Sequence, residues 1–257
     1  MTDNKPPVLA CREAGPRDKP ALVLLHGFGG SGHYFDPIVE ELAAKARIVL
    51  PDLPGHGRSF DVAGSRHPRA AAEAVLATMD ALGCERFHLA GFSLGGAVAS
   101  LIALQAPKRV LSLTLLAPGG YGAEIAAETL REFAVARTPE AVRSGLAKMT
   151  APGSAAPEEG VAQIVSERTN DALVGELEAI AAMITRDGKQ GAIPRDMLAG
   201  IACPVRIVWG TADPVLPVTQ SNGLPADFDL RLVEGAGHLL VEEARDAVVD
   251  ALSASLG

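Results

Sequence analysis

Short apolar runs that alternate with segments of helical period constrain this chain more than any other feature. Residues 21–25 read ALVLL, 47–50 RIVL, 87–91 FHLAG and 110–116 VLSLTLL. Between them, 34–46, 69–82 and 94–106 place apolar residues on one helical face: Ile38, Leu42 and Ala46 in the first, Val75, Met79 and Leu82 in the second. Strand–helix alternation predicts crossover units and a parallel sheet. Strands that stay apolar along their length predict a sheet covered on both faces. The rhythm stops at Gly119-Gly120. From 119 to 200 only helical spacing recurs, as in Ala126, Leu130 and Phe133, in Val142, Leu146 and Met149, and in Leu173, Leu177, Ile180 and Ile184. Strands return over 205–209 (VRIVW) and 229–233, followed by a final helix over 239–256. The chain therefore reads as α/β: a mostly parallel sheet flanked by helices, built from 1–118 and 201–257, with a helical cap inserted over 119–200. Such an insertion would lie at the carboxyl edge of the sheet, where open α/β folds bind ligands.

Composition narrows the class of function. The 257 residues are 48% apolar and 21% charged, which excludes a disordered or fibrous chain. Lys+Arg 23 against Asp+Glu 31 gives a net charge of −8, and no basic cluster is present, so nucleic acid is not an expected partner. Cys11, Cys84 and Cys203 are odd in number and far apart. This argues against a disulfide framework or a zinc site and for reduced thiols in a cytoplasmic protein. Residues 1–20 are polar and proline-rich, with no apolar core of a secretory signal. Residues 87–107 lack Asp, Glu, Lys and Arg and are long enough to span a bilayer. Gly91, Ser93, Gly95, Gly96 and Ser100 inside that run favour a strand, a tight turn and a buried helix instead, so no membrane partner is expected.

The chemistry concentrates at strand ends. Gly91-Phe92-Ser93-Leu94-Gly95-Gly96 joins an apolar strand to a helix, the context in which G-x-S-x-G forms a nucleophile elbow. Ser93 would project from the strand end, and the Leu94 N–H would face a developing oxyanion. A serine needs a base. His238, in Glu234-Gly235-Ala236-Gly237-His238, follows the last strand and precedes the last helix, on the same edge as Ser93. The base needs an orienting acid. Asp213 follows the strand over 205–209; alone it is equally a turn-forming Asp before Pro214. His26-Gly27-Phe28-Gly29-Gly30, after the first strand, places the Phe28 N–H as a second oxyanion donor.

The stretches HGFGG (26–30), PDLPGHGRS (51–59), GFSLGG (91–96), WGTADPVLP (209–217) and EGAGH (234–238) resemble the α/β-hydrolase superfamily over about 21–118 and 204–256. The order Ser93, Asp213, His238 matches the order of the triad in that superfamily. Within it, the chain is similar to small bacterial esterases and lactonases. It is also similar to the hydrolase-fold acyltransferase components of acetoin dehydrogenase systems, which often carry a lipoyl domain for which this length leaves no room. Ser93 stands where haloalkane dehalogenases and epoxide hydrolases place Asp. Phe28-Gly29-Gly30 departs from the Ser-Gly-Pro-Gly-like loop of hydrolases that cleave carbon–carbon bonds.

The resemblance implies a serine hydrolase acting on a small-molecule carboxylic ester or lactone without metal or organic cofactor, its oligomeric state left open. Catalytic Ser93, Asp213 and His238 and the oxyanion donors Phe28 and Leu94 would form its site. An acyltransferase or lyase on the same triad, or a low-turnover receptor, are the rivals. The other histidines read as structural: His26 organises its loop, His56 and Arg58 tie the loop after the second strand near Asp52, His88 is satisfied within a strand, and His67 is solvated. His33, Tyr34 and Phe35 read equally as pocket mouth or as helix-start packing. Ile125, Leu130, Met149, Met183 and Met197 read as cap core, some facing a mostly aliphatic acyl pocket.

Overall fold

A computed structural model describes residues 7–158 and 160–257. Seven strands form one sheet: β1 (Cys11–Ala14), β2 (Ala21–Leu25), β3 (Arg47–Pro51), β4 (Phe87–Phe92), β5 (Val110–Leu116), β6 (Val205–Gly210) and β7 (Asp229–Val233), in the spatial order β1-β3-β2-β4-β5-β6-β7. Every pairing is parallel except β1 with β3. The expected apolar strands are all present. β1 is the addition: CREA has no run of apolar residues, is half-buried along its length, and pairs at the sheet's edge with Cys11 opposite Pro51. Only its partner strand could have revealed it.

Helices α1 (Asp36–Ala43), α2 (Pro68–Ala81) and α3 (Leu94–Gln105) connect the strands of the first half. The segment expected as one helix from 34 begins with a 3-10 turn, Gly32–Phe35, and Pro37 occupies the first turn of α1. That is a favoured place for proline, since no N–H is needed there. Residues 87–107 resolve into β4, a turn and α3. Leu22 to Leu25, Leu89, Ala90, Leu113, Leu115 and Leu116 are almost wholly buried, as a sheet covered on both faces requires.

Between β5 and β6 the chain forms α4 (Ala127–Ala134), α5 (Pro139–Ala147), α6 (Val161–Glu167), α7 (Asp171–Ile184) and the single turn α8 (Arg195–Leu198). α4 packs on α7, and α5 on α4 and α6. Thr138 caps α5 by accepting from the Ala141 N–H, and Asn170 caps α7 by accepting from the N–H groups of Ala172 and Leu173. After β7, the final helix divides into α9 (Leu240–Glu243) and α10 (Arg245–Ala254), broken where Ala244 adopts φ −145°. Among the described residues no helix is long and apolar enough to cross a membrane.

Candidate active site

Ser93 stands between β4 and α3 with φ 52° and ψ −117°, a conformation that L-residues rarely adopt. Such strain costs about 1–3 kcal/mol and persists only where surrounding structure enforces it. Two glycines show the enforcement. A Cβ on Gly91 would lie 2.3 Å from the Gly95 carbonyl oxygen, and one on Gly95 would lie 2.2 Å from that of Leu25. The start of α3 is therefore pressed onto the ends of β2 and β4. Backbone N–H groups of Gly96, Ala97 and Gly119 all donate to the Ser93 carbonyl, fixing the turn.

The three candidates for chemistry are brought together. Ser93 Oγ is 3.0 Å from His238 Nε2, and His238 Nδ1 is 2.8 Å from Asp213 Oδ2. Asp213 Oδ1 accepts from the N–H groups of Val215 and Leu216 at 2.8 and 2.9 Å, which leaves Oδ2 for the imidazole. A carboxylate can only accept, so Nδ1 carries the proton and Nε2 presents its lone pair to the serine hydroxyl. Asp213 and His238 are 7% and 2% exposed, so this chain of hydrogen bonds is shielded from competing water. Trp209 at the end of β6 donates through its indole N–H to the Leu216 carbonyl and braces the Asp213 loop. Phe92 stacks against Tyr34, with ring centroids 4.4 Å apart, and lies 4.9 Å from the His238 ring.

The loop after β2 closes on the serine from the opposite side: a Cβ on Gly27 would lie 3.2 Å from Ser93 Cβ. Among the described residues, neither the Phe28 nor the Leu94 N–H is engaged by another group. Beneath this loop, His26 donates from Nδ1 to the Gly27 carbonyl and accepts at Nε2 from the Leu53 N–H. His56 Nδ1 donates to Pro54. Burial pushes the His26 imidazole below its usual value and that of His56 down to about 3, so both rings are neutral struts. Asp52 accepts from the N–H groups of Gly32 and Arg58, in keeping with the expected loop-tying role. His88 bonds Ser112, and His67 is exposed.

Four residues outside every motif brace the site. The Arg168 guanidinium, 1% exposed at the end of α6, donates to the carbonyls of Phe133, Ala136 and Gly29 and lies over the Phe133 ring. Burial lowers its pKa to about 10, which leaves it charged at neutral pH. Glu167 accepts from Ser31 Oγ, so two adjacent residues of the insertion hold the loop that carries Phe28. On the other side, the His238 N–H donates to the Met149 carbonyl. Glu243 accepts from the N–H groups of Gly237 and Leu239, which flank His238, and from that of Ala151 in the insertion. In sequence, Arg168 and Glu243 look like ordinary charges on helical segments, and backbone carbonyls carry no sequence signal.

Two cavities meet at Ser93, Phe28 and Leu130. The larger, about 1000 Å³, is lined near the serine by His238, Phe133, Leu146, Met149 and Ile164. The smaller, about 330 Å³, is lined by Leu94, Ala97, Leu101, Met183, Ile193 and Leu216 among others. His33 and Tyr34 line the larger cavity, whereas Phe35 belongs to the core. Of the expected cap-core residues, Ile125, Leu130, Met149 and Met183 line one cavity or the other, and Met197 is 40% exposed.

Comparison with known proteins identifies the family of the chain. A model of the alpha/beta hydrolase family matches residues 22–251. The chain is 30% identical over 236 residues to the dihydrolipoyllysine-residue acetyltransferase component of the acetoin cleaving system of Pseudomonas putida, covering 92% of this chain and 63% of that protein. It is 32% identical over 259 residues to the magnesium-chelatase 30 kDa subunit of Rhodobacter capsulatus, covering 92% and 86%. It thus spans about three fifths of the length of acetyltransferase components from Pseudomonas putida and Cupriavidus necator. Among solved structures, it superposes with a TM-score of 0.81 on the 2-hydroxy-6-oxo-6-phenylhexa-2,4-dienoate hydrolase of Rhodococcus sp. strain RHA1, covering 95% and 93% at 24% identity, a likeness of fold.

Proposed function

The chain belongs to the alpha/beta hydrolase family, and from that premise we propose that it is a serine hydrolase of carboxylic esters or lactones. The observation that carries the reading is the unbroken hydrogen-bond chain Asp213–His238–Ser93, ending at the junction of two cavities. Ser93 Oγ attacks the carbonyl carbon while its proton passes to His238 Nε2. Asp213 holds the Nδ1–H tautomer and stabilises the imidazolium. The Phe28 and Leu94 N–H groups receive the oxyanion. His238 then returns the proton to the leaving oxygen, and the carbonyl–oxygen bond breaks. Water repeats the sequence: its proton goes to His238, its oxygen bonds the acyl carbon, and Ser93 Oγ leaves reprotonated. The inserted helices act as a cap that shapes both cavities and so sets selectivity.

Fluorophosphonate labelling tests the nucleophile. One covalent adduct on the peptide containing Ser93, with steady turnover of an ester panel, is the expected result; labelling elsewhere sinks the assignment. The similarity to the Pseudomonas putida acetyltransferase component motivates a second reading, acyl transfer to a thiol from the same Ser93 acyl-enzyme. Product analysis with dihydrolipoamide competing against water separates the two.

A further inference from the structure

The two cavities that meet at Ser93 differ in one chemically decisive respect. The His238 ring lines the larger and not the smaller. His238 Nε2 must return its proton to the leaving atom, which requires hydrogen-bond reach of that nitrogen. The leaving group therefore departs along the cavity that contains His238. The acyl group, which stays on Ser93 through both half-reactions, is left the cavity on the Leu94 side.

We infer that the cavity of about 330 Å³ is the acyl pocket and the cavity of about 1000 Å³ the leaving-group pocket, and that the substrates are esters of a compact apolar acid with a larger, uncharged alcohol or thiol. This rests on the serine-hydrolase reading above and specifies its substrate class.

Size and lining support both halves. A cavity of about 150 Å³ holds one benzene ring, so about 330 Å³ suits a medium-length or aryl-alkyl acyl group. Its walls are mainly apolar: Ala97 and Leu101 of α3, Met183 and Ile184 of α7, and Ile193. The larger cavity is apolar beside the serine and acidic at its rim, where Asp36, Glu158 and Glu242 are joined by a single guanidinium, Arg245. Arg245 is already paired with Glu41 at 2.9 Å. Asp36 is paired with Arg12 and His33, and Glu158 with Arg143. Among the described lining residues three carboxylates stand against one guanidinium, so the rim is net acidic and repels a phosphate or carboxylate on the leaving group.

The test uses the full chain and rapid-quench or stopped-flow kinetics, in which acylation and deacylation are read separately. Narrowing the smaller cavity with Met183→Trp should shift acyl preference to shorter chains and slow deacylation of a hexanoyl or phenylpropionyl enzyme at least tenfold, by the same factor whatever alcohol delivered it. Narrowing the larger with Ile164→Trp should change acylation rates according to alcohol size and leave deacylation of a given acyl-enzyme unchanged. Met183→Ala and Ile164→Ala probe the same walls in the opposite direction if a Trp variant fails to fold. The reverse pattern, with Ile164 variants changing deacylation and Met183 variants sensing the alcohol, overturns the assignment. Hexanoyl-coenzyme A and hexanoyl-N-acetylcysteamine share one thioester but have anionic and neutral leaving groups. The neutral thioester should have at least tenfold higher kcat/KM, and equality or the opposite order overturns the charge argument. If no ester or thioester forms an acyl-enzyme at all, the serine-hydrolase reading itself fails, a result distinct from turnover with the wrong size pattern.

Discussion

The sheet half and the inserted helices reach the same serine by different physical means. The sheet half delivers side chains. Ser93, Asp213 and His238 each follow a strand, and the parallel order of β4, β6 and β7 brings those strand ends to one edge. The insertion delivers walls and braces: apolar residues of α4 to α7 line both cavities, while Arg168, Glu167 and the backbone of Met149 and Ala151 hold the two loops that flank Ser93. The candidate catalytic side chains come from one region and many of the hydrogen bonds that hold their loops from the other. A helical segment that only covered the site would have no need to bond the His238 loop. This one does so at the backbone of His238 itself.

The largest effect should come from the sheet half alone. Ser93→Ala removes one hydroxyl, so the fold should persist while kcat falls on the order of 10⁶-fold. Loss of fluorophosphonate labelling with an unchanged melting temperature is the check. Asp213→Asn should follow, with kcat down about 10⁴-fold because an amide at this position can hold the imidazole in the wrong tautomer. Activity close to that of the parent would mean that another group orients His238.

Arg168→Met then asks whether the insertion is a brace or only a wall. It removes donors to three carbonyls, in a setting where each buried unpaired group costs about 1–3 kcal/mol. The melting temperature should drop, and kcat should fall about 10–10²-fold as the Phe28 loop drifts, with KM little changed. A lower melting temperature with kcat intact would reduce Arg168 to a purely structural residue. Glu243→Ala should be milder, about tenfold in kcat, since the Met149 carbonyl still holds the His238 N–H. Glu243→Gln, which keeps one acceptor oxygen, should recover most of that loss.

Acid separates the two regions by stability. His26 and His56 have folded pKa values below the ordinary 6.5, that of His56 about 3. Unfolded, each binds a proton more readily, so their contribution is complete above about pH 6.5 and is lost as pH falls below it, for His56 down to about pH 3. The slope is up to about 1.4 kcal/mol per pH unit for each. Arg168, the buried charge of the insertion, stays protonated throughout this range. Hydrogen exchange at pH 5 should therefore show the 52–59 loop loosening before α4–α6. His56→Asn should shallow the pH dependence of stability by about one proton.

Much of this protein was legible in its sequence because the signals are local. The apolar runs that became β2 to β6, the glycines that let α3 press onto the strand ends, and the order Ser93, Asp213, His238 each depend on residue type within a few positions. Local chemistry of this kind survives without knowledge of the partner. What the sequence could not supply were features whose meaning depends on distant residues. CREA becomes a strand only because the edge of β3 offers hydrogen bonds. The final helical run breaks at Ala244, where apolar periodicity gives no warning. Arg168 reaches Gly29 across 139 positions and Glu243 reaches Ala151 across 92, in both cases to a backbone atom that every residue possesses. The division of the site into two cavities belongs to the same class. Residues of the inserted helices, far from Ser93 in sequence, wall both cavities, and only the larger of the two includes His238.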